Sequence, residues 1–324
     1  MPSLEPGLER LQKTMSLVLL AALPGLLCLL WFNGWGTLLN LLIASAAALG
    51  CEALIMLARR RAPLTAISDG SALVTALLLA VALPPGAPWW LATSASAFAL
   101  LVGKHLFGGV GKNPFNPAML GYAFVLLSFP VAMNHWPAPH SMDLISSLQQ
   151  VFGLPTGHEP DAWAQATALD ALRSNKSLTV DELFASHPAF GQVGGKGVEW
   201  VNLAFLLGGG LLLQQKVISW HTPAGMLGAL FLASLLFWNG SGSDTHGSPL
   251  FHLFSGASML GAFFIATEPV SGPRTPRARL LFGVGVGLLT YLIRLEGSYP
   301  DGVAFAVLLM NLGVPALERR MASS

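Results

Sequence analysis

Ten apolar runs, five on either side of one long polar stretch, constrain the fold of this 324-residue chain more than any motif in it. They fall at residues 15–32, 37–57, 70–83, 89–102 and 117–133, then at 198–213, 222–238, 253–266, 278–293 and 302–317. Such runs predict helices that live in lipid, where a full crossing takes about 20 residues. The third run has only 14 residues and stops at Pro84-Pro85, where helical geometry must end. The eighth is equally short. Trp89-Trp90 opens the fourth in the position of an interfacial aromatic belt.

Composition narrows the function classes. The chain is 53% hydrophobic and 10% charged, against about 25% charged in a soluble domain. That balance predicts a polytopic membrane protein. A formal net charge of +1 and the lack of a basic face interleaved with aromatics argue against nucleic acid as a partner. Cys28 and Cys51 lie in apolar runs without a CxxC or a neighbouring His, so neither a disulfide framework nor a cysteine-bound cluster is expected. The eight histidines show no metal-ligand spacing, and no P-loop or nucleophile elbow is present. Gly283-Val284-Gly285-Val286-Gly287 superficially suggests a nucleotide loop, but it lies mid-run, where small residues mean close helix packing. The first run follows a charged lead and is long enough to span, so no cleavable signal peptide is expected.

Ten crossings put both ends of the chain on one side. That side collects Arg10, Lys13, Arg59, Arg60, Arg61, Lys104, Lys112, Lys216, Arg274, Arg277, Arg279, Arg319 and Arg320. Only Arg173, Lys176, Lys196 and Arg294 fall on the other. By the positive-inside rule both termini are cytoplasmic and the polar stretch lies outside. An internal repeat supports the count. Ser68-Asp69-Gly70-Ser71-Ala72-Leu73 resembles Phe254-Ser255-Gly256-Ala257-Ser258-Met259, and 116–130 aligns with 301–315 at nearly the same offset. Two five-helix units of this kind form an inverted pair, whose sites cluster at short or broken helices where the halves meet. The expected organisation is therefore an all-α polytopic membrane protein of about ten transmembrane helices in two inverted halves. Residues 1–134 form the first half, 135–197 a periplasmic insertion and 198–324 the second half.

Four acidic residues stand in or beside the apolar runs: Glu52, Asp69, Glu268 and Asp301. Ionised carboxylates in lipid are costly, which makes each a candidate for an ion pathway. Asp69 and Asp301 also fit as helix N-caps of the third and tenth runs. Glu268 could pair with Arg274, Arg277 or Arg279, whereas Glu52 lies deeper and has no capping role. Within the polar stretch, Thr167-Ala168-Leu169-Asp170 and Thr179-Val180-Asp181-Glu182 have the spacing of a helix N-cap with an acidic third residue. From spacing alone Thr167 is a capping residue. A hydroxyl at a helix start also faces backbone N–H groups that would stabilise a phosphate.

Three segments resemble the D subunits of the Rnf (Rsx) ion-translocating electron transport complexes. They are 108–122 (Gly108-Gly109-Val110-Gly111-Lys112-Asn113-Pro114 onward), Thr267-Glu268-Pro269-Val270-Ser271 with 275–280, and 297–311 (Gly297-Ser298-Tyr299-Pro300-Asp301-Gly302 onward). Trp31-Phe32-Asn33-Gly34-Trp35-Gly36 and Ala87-Pro88-Trp89-Trp90 fit as well. The B subunit of the sodium-pumping NADH:quinone reductase is the next nearest family. The resemblance implies FMN joined through its phosphate to a Thr in a motif similar to Ser-x-Ala-Thr-Pro-Leu-Asp. Trp163-Ala164-Gln165-Ala166-Thr167-Ala168-Leu169-Asp170 matches it at Thr167, Leu169 and Asp170, with Ala164 and Ala168 in place of Ser and Pro. It further implies a second, non-covalent flavin (riboflavin), and the A, B, C, E and G subunits of the complex as partners. A flavin-attaching transferase would act during maturation. The location implied is the bacterial inner membrane, with Thr167 periplasmic. The chain would then be one component of a translocase coupling electron flow between NADH and ferredoxin to Na⁺ or H⁺ transport. The rival expectations are a cofactor-free channel or secondary transporter, and a purely structural assembly component.

Overall fold

The computed structural model describes residues 6–155, 165–175, 177–240 and 246–322, and the described residues are helical with no named strand. Asp161, Ala162, Trp163 and Ala164 lie outside the described residues. Helices occupy each of the ten apolar runs. The first half contains α1 (Pro6–Asn33), α2 (Gly36–Ala58), α3 (Pro63–Ile67), α4 (Ser71–Ala82), α5 (Trp89–Phe98), α6 (Pro117–Ser128) and α7 (Pro130–Asn134). The insertion contributes α8 (Leu144–Phe152), α9 (Ala168–Ser174) and α10 (Val180–Ser186). The second half contains α11 (Val198–Gln214), α12 (His221–Phe237), α13 (Pro249–Phe254), α14 (Ser258–Leu260), α15 (Pro276–Glu296) and α16 (Val303–Ala322). Three helices, Gly7–Asn33, Gly36–Ala58 and Pro276–Glu296, are long and apolar enough to cross a membrane.

The two short runs are broken in related ways. Gly70 (φ 78°) and Gly256 (φ 57°) each adopt a left-handed backbone just before a short buried segment. Such angles favour a residue without a Cβ. α4 then ends ahead of Pro84-Pro85, both buried. α14 widens at once into a π-helical turn, Gly261–Ile265, and α5 does the same over Ala99–His105. π-turns inside helices often accompany functional sites.

Helices in lipid gain little by hiding from it, so association depends on close packing and interhelical hydrogen bonds. α12 and α15 meet through glycines. A Cβ on Gly225 would lie 2.5 Å from the Leu280 carbonyl oxygen, and one on Gly283 or Gly287 would collide with the carbonyls of Thr222 or Met226. The glycine stripe is thus a packing surface, as its mid-run position implied. α1 joins α11 in the same way, with Gly208 against the Ala21 carbonyl and Gly25 under the Phe205 ring. The outward surface is apolar: Leu236 is 78% exposed and Trp31 72%. In a membrane those side chains face lipid rather than water.

The insertion carries a small core of its own, in which Leu169, Leu172, Val180, Leu183 and Phe190 pack on Phe251. Both expected caps are present. Thr167 Oγ1 accepts from the Asp170 N–H at 3.2 Å, and Thr179 Oγ1 from the Glu182 N–H at 3.2 Å. Glu182 completes a capping box by accepting from the Thr179 N–H at 2.8 Å, which holds its carboxyl below the usual value. Glu199, in the first turn of α11, accepts from the N–H groups of Gln192, Val193 and Gly194. It thereby fixes the loop that returns from the insertion.

Replacing Gly283 with Val tests the α12–α15 contact. Overpacking of this kind costs about 1–3 kcal/mol. The expected outcome is a lower melting temperature of the detergent-solubilised protein, while Gly228→Val, where a Cβ meets nothing within 4 Å, leaves it unchanged.

Candidate functional site

Where the broken helices of the two halves face each other, they enclose a cavity of about 190 Å³. Its walls are apolar: Leu29 of α1, Val81 of α4, Met119 of α6, Phe205 of α11, Leu260 of α14 and Ala304 of α16. The insertion covers it with Trp136, the run from Gln165 to Leu169, and Lys196. A few polar side chains interrupt the lining, among them Tyr122, Asn202 and Asp301. Ligand pockets commonly have this composition, with a few placed polar groups in a hydrophobic shell.

Thr167 lies on this cavity, half-buried, with its backbone extended (φ −66°, ψ 159°). Its Oγ1 donates to Asp170 Oδ2 at 2.7 Å while accepting from the Asp170 N–H. Asp170 Oδ1 in turn accepts from Arg173 Nη2 at 2.5 Å. Arg173 Nη1 donates to the carbonyls of Gly297 and Tyr299, the latter at 3.1 Å. The turn bearing Thr167 is therefore tied to the loop that leads into α16.

Asp301 closes the same side of the cavity. It is not the N-cap of its helix, which starts at Val303. Instead it accepts from Arg294 Nε (2.8 Å) and from the N–H groups of Ala257 (2.6 Å) and Gly302 (2.6 Å). Arg294 is 4% exposed and also donates to the His252 carbonyl (2.7 Å), the Ser255 carbonyl (3.1 Å) and Ser258 Oγ (3.0 Å). One guanidinium thus holds the break before α14 against the start of α16. Thr167 and Asp301, far apart in sequence, meet at one site.

Glu52 and Asp69 lie elsewhere, in a second polar cluster inside the first half. Glu52 is fully buried and paired with the ammonium of Lys104, with His105 Nε2 3.3 Å away. Lys104 also donates to Ser71 Oγ at 2.7 Å, and Asp69 Oδ2 stands 4.0 Å from it. The π-turn Ala99–His105 supplies both basic residues, so two consecutive side chains reach one carboxylate. Asp69 accepts from the Ser71 N–H at 2.7 Å, but Gly70 holds the N-cap position, which corrects the expected capping role. Glu268 occupies a third place. It accepts from the N–H (2.6 Å) and hydroxyl (2.5 Å) of Ser271 rather than meeting the arginines proposed for it.

Sequence reasoning missed Lys104 and Arg294 as site residues because it counted both as markers of orientation. Each is a basic residue inside or at the end of an apolar run, and that was the available signal. Setting both aside leaves the charge bias between the two sides in place.

Apolar helices with broken segments, a cavity under a polar cap and buried ion pairs define a membrane protein with an internal cavity. Comparison with known proteins is consistent with that class. The chain belongs to the NQR2, RnfD, RnfE family, whose model matches residues 7–324. It is 64% identical over 313 residues to the D subunit of an ion-translocating oxidoreductase complex from Pseudomonas aeruginosa (strain UCBPP-PA14), covering 96% of this chain and 90% of that protein. The corresponding protein of Ectopseudomonas mendocina (strain ymp) is 60% identical over 312 residues, with the same coverage. That of Vibrio vulnificus (strain YJ016) is 49% identical over 333 residues, covering 94% and 92%. The resemblance read from the sequence motifs is thereby borne out.

Removing Arg294 would leave Asp301 buried without its ion partner, a loss of about 3–5 kcal/mol. Arg294→Leu is expected to lower the melting temperature sharply. Arg294→Lys should rescue little, because an ammonium cannot reproduce the forked contacts.

Proposed function

We propose that the chain is the D subunit of an ion-translocating oxidoreductase complex and carries FMN on Thr167 through a phosphoester. The observation that carries this reading is that Thr167 lines a cavity shared by residues 29–122 and residues 198–304 of the chain. The lining fits a flavin: its apolar walls suit a flat ring, and Tyr122, Asn202 and Asp301 place polar groups among them. When bound, the flavin supplies the redox chemistry. The protein provides position, potential and exclusion of water. Asp170 Oδ2 accepts the Thr167 hydroxyl hydrogen bond and so would orient that oxygen for attachment. Arg173 balances the charge on Asp170, and Lys196 adds a cation at the covering loop.

In this assignment the ten helical runs cross the bacterial inner membrane as two inverted five-helix halves, with the insertion outside. The matched left-handed glycines Gly70 and Gly256 support the repeat. Electrons pass through the flavin between NADH and ferredoxin overall, exchanged with the G subunit; the A, B, C and E subunits complete the complex, and a second flavin of riboflavin type sits in the membrane part. Transport of Na⁺ or H⁺ is coupled to that flow. Expressed with a flavin-attaching transferase, the protein should give a flavin-fluorescent band that survives SDS. Thr167→Ala should abolish the band. A band of undiminished intensity in that variant would falsify the attachment site, and no band in the unaltered protein would favour a cofactor-free channel or transporter.

We also place Glu52 and Asp69 on the ion route. Burying two carboxylates around one ammonium is expensive unless the charges serve a purpose. Glu268 and Asp301 complete the candidate set. Glu52→Gln and Asp69→Asn should each impair ion uptake by membrane vesicles several-fold more than electron transfer to an artificial acceptor. Equal effects on both activities would remove these residues from the route.

A further inference from the structure

One helix of the insertion treats its apolar residues differently from the others. α9 and α10 turn Leu169, Leu172, Val180 and Leu183 into a shared core on Phe251. α8 buries only Ser147 and Val151, one helical turn apart. On the adjoining stripe Leu144, Leu148 and Phe152 recur at a spacing of four, with Ile145 beside them. Leu148 is half-buried, Leu144 and Phe152 are exposed, and Ile145 is 65% exposed. No charged residue stands between Asp143 and Pro155. The helix does not need a partner on that stripe in order to form. Asp143 caps its start by accepting from the Ser146 N–H at 2.7 Å. Gly153, left-handed at φ 66°, ends it, and the Leu154 N–H donates back to the Gln149 carbonyl at 2.8 Å.

The place of α8 in the fold says what covers the stripe. It rests on two turns where helices of the first half end. A Cβ on Gly34, between α1 and α2, would strike the Met142 carbonyl just ahead of α8. One on Gly86, between α4 and α5, would strike the Gln150 side chain. The same turns carry Trp31, Trp35, Trp89 and Trp90, all exposed, and the His140 ring lies 6.0 Å from that of Trp31. Exposed tryptophans at the ends of apolar helices mark the membrane–water boundary. The open stripe stands at that level.

We infer that α8 is an interfacial helix, whose stripe of Leu144, Ile145, Leu148 and Phe152 sinks into the lipid leaflet on the side of the insertion and seats the insertion on the bilayer. Helices of this kind enter the headgroup and acyl boundary by about 5–10 Å. With no basic side chain, α8 binds there by apolar contact rather than by charge. The seat bears on the Thr167 turn, because the segment leading into α8 is tied to it: the Gln165 N–H donates to the Trp136 carbonyl at 2.8 Å. The inference needs only that the bundle lies in a membrane, and it holds whether or not Thr167 carries a flavin.

The test places a nitroxide label on single cysteines, Ile145→Cys, Phe152→Cys and Ser146→Cys, in a chain whose half-buried native thiols are removed by Cys28→Ala and Cys51→Ala. Each labelled chain is assembled into the complete complex in phosphatidylcholine vesicles. Collision rates are measured with oxygen, which concentrates in lipid, and with a neutral water-soluble nickel chelate. The expected oxygen-to-nickel ratio at Ile145 and Phe152 is several-fold above that at Ser146, which lies off the stripe. Equal ratios at all three positions put the stripe in water and overturn the inference. Low rates with both reagents at Ile145 and Phe152 mean that a partner subunit covers the stripe, which overturns it as well. Ile145 and Phe152 report on the same surface, so if one labelled variant fails to assemble the other decides.

Discussion

A helix that stops inside an apolar layer leaves backbone carbonyls with no water to bond them, and each one left bare costs several kcal/mol. This chain breaks its helices repeatedly, and four buried asparagines meet the cost. Asn40 donates to the Pro84 carbonyl beyond the end of α4, and Asn202 to the Gly256 carbonyl at the break before α14. Asn116 donates to the Ile265 carbonyl at the end of the second π-turn, and Asn311 to the Ser271 carbonyl in the loop that follows. Asn311 Oδ1 also accepts from the Asn116 N–H, so the two halves are bonded to each other at this point. The breaks, and hence the cavity between them, depend on these amides.

Breaks of this kind explain why the site lies where it does. Continuous helices packed through glycine, as α12 and α15 are, leave no room between backbones. The short segments α4 and α14 leave space above them, and the insertion covers that space with its own small core and the Thr167 turn. Charge is kept in place by separate means in each half. The first uses Lys104 on Glu52, supplied from a π-turn; the second uses Arg294 on Asp301. The two clusters thus differ both in the basic residue and in the element that supplies it.

Much of the fold was legible because it rests on local signals. Apolar run length located the helices, the Thr-x-x-Asp and Thr-x-x-Glu spacings located two caps, and the mid-run glycines marked a packing face. The site was legible only in part. Thr167 alone reads as a cap, and it is one; family motifs pointed to more. The Glu52–Lys104 pairing was hidden because its members lie 52 positions apart, whereas Arg294 is only seven positions from Asp301 and was within reach of a local reading. The two π-turns leave no composition signature, and the pairing of Trp136 with Gln165 depends on a single backbone hydrogen bond across the insertion.

The bond from Arg173 to the carbonyls of Gly297 and Tyr299 has a mechanical consequence. The loop it grips continues within a few residues into Asp301 and α16, and α16 carries Glu318 near its far end, where it accepts from the Arg274 N–H at 2.6 Å. A shift of α16 along its axis would therefore drag the Thr167 turn with it, while the Arg274 loop that Glu318 holds would register the same movement at the other end of the helix. The helix acts as a push-rod between its own two ends. The Thr167 turn is thus geared to the far end of α16 without a hinge of its own.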